Sequence, residues 1–132
     1  MTALPIAMSA KKRPKYLDLV HIKLPVPGVV SILHRISGAF LFLLIPAFLF
    51  ALQTSLASAE GFGAIKRAMG LWPVKLIAIG VLWAFLHHFF AGIRYLAIDL
   101  HYGVDLAAAR ASARVVLAAS LALTLILGVA LW

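Results

Sequence analysis

Three long apolar runs decide what this chain of 132 residues can fold into. Residues 36–59, 76–93 and 115–132 contain no Asp, Glu, Lys or Arg and are 24, 18 and 18 residues long. A helix that crosses a bilayer needs about 20 mostly apolar residues. The sequence therefore predicts an all-α membrane protein with three transmembrane helices. We expect these helices at 29–55, 71–100 and 109–132, after an N-terminal segment 1–28 whose Pro25 and Pro27 disfavour helix upstream of the first span.

The composition excludes several classes of protein. Hydrophobic residues make up 64% of the chain and charged residues 12%, which few soluble domains could cover with polar surface. Cysteine is absent, so disulfides, thiol catalysis, cysteine-ligated iron–sulfur clusters and covalently attached heme are excluded. The net charge of +8 does not indicate nucleic-acid binding, because no basic soluble domain remains outside the apolar runs.

The basic residues predict an orientation. Five of them precede the first span (Lys11, Lys12, Arg13, Lys15 and Lys23), whereas the first loop and the start of the second span carry Lys66, Arg67 and Lys75. Since cytoplasmic flanks are enriched in Lys and Arg, we expect a cytoplasmic N-terminus and a C-terminus on the opposite side. The basic cluster is followed by Pro-rich polar sequence, which does not fit a signal peptide.

A histidine pair interrupts the second apolar run. An ionisable side chain in hydrocarbon is costly and by default indicates a functional site. His87 and His88 point about 100° apart on a regular helix, so they cannot both ligate one metal. Small residues near His88 (Ala84, Ala91 and Gly92) would leave room for a flat macrocycle. We therefore predict His88 as a ligand and His87 as a packing or hydrogen-bonding residue.

A second polar group lies near the start of the first helix. Ser31, His34 and Arg35 are spaced i, i+3 and i+4, so Ser31 can share a face with either partner. In the predicted topology, this group and His88 lie in the same half of the membrane. Ser31 and Arg35 can hydrogen-bond a carbonyl or an anionic oxygen. Alternatively, Ser31 caps the helix and Arg35 extends to lipid headgroups.

Two motifs in these helices resemble a known family. Ser31-Ile-Leu-His34-Arg35-Ile-Ser37-Gly38 and His88-Phe-Phe-Ala-Gly92-Ile-Arg94, followed by Asp99, are similar to the cytochrome b membrane-anchor subunits of bacterial succinate dehydrogenase, respiratory complex II. The similarity extends from about Arg13 to Trp132. Either motif alone would be weak, but the pair is fairly specific.

The resemblance implies roles for individual residues. His88 would be an axial ligand of a noncovalent heme b, and Ser31 and Arg35 would line a ubiquinone site. His34 and Arg94 would lie near the heme propionates. Some family members have His directly after Gly-Ile-Arg, where this chain has Tyr95. A phenol at that position can still donate a hydrogen bond.

The resemblance also implies partners and a location. The three helices would form half of a heme-binding bundle, which a second small anchor subunit completes while supplying the other axial His. A flavoprotein subunit and an iron–sulfur subunit would dock on the cytoplasmic face of the bacterial inner membrane. The chain itself would carry no catalytic residue for succinate. Two alternatives stay open: a cytochrome b anchor of another quinone-linked dehydrogenase, or a small structural or transport subunit with packing histidines.

Overall fold

The computed structural model describes residues 23–131, which form four helices. They are α1 (Val26–Ala57), α2 (Ala59–Gly70), α3 (Trp72–Asp99) and α4 (Leu106–Leu131). The helices α1, α3 and α4 are long and apolar enough to cross a membrane. The predicted all-α fold with three spanning helices is thereby confirmed. Most of the segment 1–28 lies outside the described residues.

The first helix begins earlier than the two prolines suggested. Pro25 is the N-cap residue of α1, and Pro27 lies inside its first turn. Proline is tolerated there because the N–H groups of a first turn have no partner within the helix. At about 1.5 Å per residue, the 32 residues of α1 extend over about 48 Å, well beyond the hydrocarbon thickness of about 30 Å.

The helix α2 lies in a segment that the sequence reasoning treated as a loop. It has only 12 residues, too few to span a membrane. Ser58 caps it, since the Ser58 hydroxyl oxygen accepts a 3.0 Å hydrogen bond from the Gly61 N–H. A side chain at Gly61 would run into the carbonyl oxygen of Thr54, so the corner between α1 and α2 needs a glycine. The N-cap residue Ser58 was the sequence signal that could have predicted α2.

The core lies where α3 packs against both α1 and α4. Its buried residues are small or β-branched: Val30, Ala91, Ala113 and Val116, all at most 5% exposed. Small side chains let helix backbones approach closely in membranes. The expectation that Ala84 and Ala91 leave room beside His88 is therefore wrong, because both are buried in helix packing.

The outer surface of the bundle is apolar. Large hydrophobic side chains are exposed on every spanning helix, for example Phe42, Phe85 and Leu125. The apolar stretch of α1 is the least covered, with 6% of its residues buried, against 22% for α3. The helix α3 is thus the central member of the group.

Candidate functional site

Two histidines from different helices meet at the end of the bundle where α1 begins and α3 ends. The rings of His34 on α1 and His88 on α3 are stacked, with centroids 4.3 Å apart and planes inclined by 10°. Their predicted convergence at one depth is confirmed. The site thus lies in the contact between α1 and α3, about eight residues from the start of α1.

One ring nitrogen of His88 is held by α1. Its Nδ1 lies 3.1 Å from the backbone carbonyl oxygen of His34 and 3.3 Å from the Ser37 hydroxyl. A carbonyl oxygen can only accept a hydrogen bond, so Nδ1 carries the proton and donates it. The other nitrogen, Nε2, then keeps its lone pair, which is the form of imidazole that binds a metal.

The close packing of His88 on α1 depends on a glycine. A Cβ atom at Gly38 would lie 2.8 Å from the His88 Cε1 atom, closer than real contacts allow. Ser37 is buried next to it, and its hydroxyl donates a 3.0 Å hydrogen bond to the His34 carbonyl. Neither residue was among the predicted site residues. Their spacing of i+3 and i+4 from His34 was the signal that could have identified them.

This arrangement fits a group bound through one imidazole of this chain. Within residues 23–131, no three His, Cys, Asp or Glu side chains come together to hold a metal ion. The ring of the second histidine, His34, is stacked parallel on the His88 ring. It is therefore not placed to bind the same metal ion from the side opposite His88. His88 itself could hold a heme through its Nε2 atom.

The neighbouring His87 has a different environment. It is fully buried and packs on Trp83, with ring centroids 5.5 Å apart. Its ring lies near the backbone of Val30, yet neither nitrogen makes a hydrogen bond of normal geometry within the described part of the chain. His87 is thus a packing residue, and the hydrogen bond that we expected as an alternative is not formed there.

Ser31 and Arg35 lie on the outer side of α1. Ser31 is partly buried and Arg35 is exposed. Neither side chain makes a hydrogen bond or ion pair with another residue of the described range. The exposed Arg35 side chain is therefore not part of the buried three-helix core.

Arg94 and Tyr95 contact each other, with the Arg94 Cζ atom 5.3 Å from the centre of the Tyr95 ring, but their other partners differ. Arg94 is 8% exposed, and its guanidinium donates from Nε to the Ser112 hydroxyl at 3.0 Å and from Nη2 to the Ala109 carbonyl at 3.2 Å. These bonds direct Arg94 towards α4. The Tyr95 ring instead lies 5.2 Å from the His34 ring and so adjoins the histidine cluster.

Comparison with known proteins gives the same assignment as the motifs. Three relatives are each described as a succinate dehydrogenase cytochrome b556 subunit. The protein from Coxiella burnetii is 39% identical over 123 residues, covering 92% of this chain and 98% of the relative. The proteins from Paracoccus denitrificans and Rickettsia felis are each 29% identical, covering 86% and 89% of this chain and 88% and 92% of the relatives.

A family model described as the succinate dehydrogenase/fumarate reductase transmembrane subunit matches residues 9–127, which include all four helices except the last residues of α4. The match includes the histidine cluster and both motifs from which the resemblance was first drawn. By its sequence motifs, its three spanning helices and this match, the chain belongs to the family of succinate dehydrogenase/fumarate reductase transmembrane subunits.

Proposed function

We propose that this protein is the cytochrome b membrane-anchor subunit of a succinate:ubiquinone oxidoreductase. The observation that carries the proposal is the geometry of His88, whose Nδ1 is hydrogen-bonded to α1 while Nε2 keeps its lone pair. A metal-binding imidazole usually has this arrangement, because the bond at the other nitrogen fixes the ring and its tautomer. The names of the relatives support the same function.

The bound group would be heme b, held without covalent attachment because the chain has no cysteine. His88 supplies one axial ligand, and a second small anchor subunit supplies the other. When bound, such a heme supplies a one-electron carrier inside the membrane. His34 and Tyr95 lie beside His88 and are assigned to the surroundings of the heme. We also assign Arg94 to a heme propionate. It would donate from those guanidinium N–H groups that are not hydrogen-bonded to α4.

The quinone would bind at the outer side of α1. Ser31 donates a hydrogen bond to a ubiquinone carbonyl oxygen, and Arg35 stabilises the negative charge that develops there during reduction. Both roles fit side chains without partners in the described range. The position of Arg35 within about 14 Å of the start of α1 fits a site near the membrane edge, where protons are accessible.

The remaining part of the function is assembly. The chain anchors a flavoprotein subunit and an iron–sulfur subunit to the cytoplasmic face of the bacterial inner membrane, with its own N-terminus on that face. The apolar outer surface is shared between lipid and the second anchor subunit. The oxidation of succinate itself is assigned to the flavoprotein subunit.

The proposal is tested on the complex purified from membranes through a tag on this chain. We expect a reduced-minus-oxidised spectrum with b-type heme bands that succinate generates, and co-purifying flavoprotein and iron–sulfur subunits. A complex without a heme band would contradict the cytochrome assignment. Heme bands that hydrogen or formate reduces, but succinate does not, would instead assign the chain to another quinone-linked dehydrogenase.

A further inference from the structure

We propose that Ser37 and Gly38 are positioning residues that let α1 set the orientation and the electron-donor strength of His88. This inference rests on the proposed role of His88 as a heme ligand. Neither residue would touch the heme. Both act through the His88 ring. Ser37 shares the hydrogen-bond acceptor of that ring, and Gly38 leaves space for the ring.

The shared acceptor is the backbone carbonyl oxygen of His34. It receives the Ser37 hydroxyl at 3.0 Å and the His88 Nδ1–H at 3.1 Å. A hydrogen bond donated from the distal nitrogen makes a ligating imidazole more basic. The Ser37 hydroxyl oxygen also lies 3.3 Å from the same Nδ1, so Ser37 acts on the His88 proton both directly and through the shared carbonyl.

Two other serines show that the Ser37 hydroxyl bond itself is ordinary. Ser55 donates to the Leu52 carbonyl at 2.8 Å and Ser120 donates to the Leu117 carbonyl at 3.1 Å, with the same i−3 spacing. Serine commonly bonds back in this way within helices. At Ser112, by contrast, the Ala109 carbonyl receives both the Ser112 hydroxyl and Arg94 of α3, just as the His34 carbonyl receives both Ser37 and His88. The imidazole, rather than the local bond, therefore distinguishes this position.

Gly38 contributes space. The Cβ of any other residue would lie 2.8 Å from Cε1 and 3.2 Å from Nδ1 of His88. Relief of that overlap requires either rotation of the ring, which breaks the bond to the His34 carbonyl, or separation of α1 from α3. Either movement displaces Nε2 from its place.

The first test replaces Ser37 in the assembled complex. We expect Ser37→Ala to retain heme but to shift its midpoint potential, because the hydrogen bonding of the His88 Nδ1–H, and with it the basicity of the ring, changes. The g-values of the ferric heme in electron paramagnetic resonance should shift as well. Ser37→Thr should restore both values, since threonine keeps the hydroxyl. The matched control is Ser120→Ala, which removes an equally buried hydroxyl with the same i−3 bond and should leave both unchanged.

The second test replaces Gly38, and it covers the case in which the Ser37 variant fails to assemble. We expect Gly38→Ala to lower the heme content per complex severalfold, whereas Gly80→Ala on α3, where a Cβ meets nothing within 4 Å, should keep it. Wild-type potential and g-values in Ser37→Ala, or full heme content in Gly38→Ala, would overturn the inference. If the wild-type complex contains no heme, the proposed function itself fails. If heme is present and His88→Ala removes it, only the positioning role is at issue.

Discussion

The contacts that α3 makes with α1 and with α4 differ in which polar atoms they leave without a partner. Towards α4, the Arg94 guanidinium binds Ser112 and Ala109, so the polar groups of that contact are paired within the chain. Towards α1, His88 is held at Nδ1 only, and the ring stacks on His34. Thus the Nε and Nη2 groups of Arg94 have partners on α4, whereas the Nε2 atom of His88 has none among the described residues.

This difference shows how polar residues inside a membrane can be sorted. An intramembrane arginine or histidine indicates function by default, because burial is costly. Arg94 shows that the same cost can be offset by hydrogen bonds that join two helices. Burial alone is therefore a weaker sign of function than the hydrogen bonding of each nitrogen. In His88, one ring nitrogen is hydrogen-bonded and the other is not.

The largest expected effect distinguishes the two adjacent histidines. His88→Ala should remove heme from the complex, because the imidazole whose Nε2 atom is left for ligation is lost. His87→Ala should retain the heme bands, since His87 is buried against Trp83 and Val30. Heme content per complex, measured by pyridine hemochrome, gives the answer. Loss of heme in the His87 variant alone would reverse our assignment.

The next largest effect concerns Ser31 and Arg35 on α1. Arg35→Ala should lower ubiquinone reductase activity on the order of 100-fold, as expected when one preorganised group that stabilises developing charge is removed. Ser31→Ala should have a similar but smaller effect. Succinate oxidation with a soluble artificial acceptor serves as the control and should persist. A parallel fall of both activities would indicate failed assembly and contradict a quinone role.

The smallest effect concerns the α4 contact. Arg94→Met removes two interhelical hydrogen bonds, which in membranes average about 0.6 kcal/mol each, so we expect a destabilisation of about 1 kcal/mol. Unfolding by sodium dodecyl sulfate of the chain in lipid micelles measures it, with the exposed Arg110→Met as the matched control. Equal stability of the two variants would contradict the structural role of Arg94.

The sequence predicts the parts of this fold that depend on length and hydropathy. The apolar runs located α1, α3 and α4 to within three residues of most of their ends. Every α-helix rises by about 1.5 Å per residue. This constant was enough to predict that His34 and His88 lie at the same depth. The helix α2 was missed because twelve residues with mixed composition give a weak signal.

The rest depends on how each helix is rotated about its axis. Helices that are apolar on all sides give no pattern to tell which face meets which neighbour. The sequence could not show that Arg94 turns to α4 while Tyr95 turns to His34. For the same reason, Gly38 was not recognised as the residue beneath His88.

Few residues of α1 are covered by the other helices, and this affects how long an unassembled copy persists in the cell. The apolar stretch of α1 is 6% buried, even though this helix contacts α2, α3 and α4. A copy that has not joined other subunits therefore exposes most of the apolar surface of α1 to lipid. We expect such orphan copies to be recognised by membrane proteases and degraded faster than assembled ones, so that the amount of this subunit follows the amount of its complex.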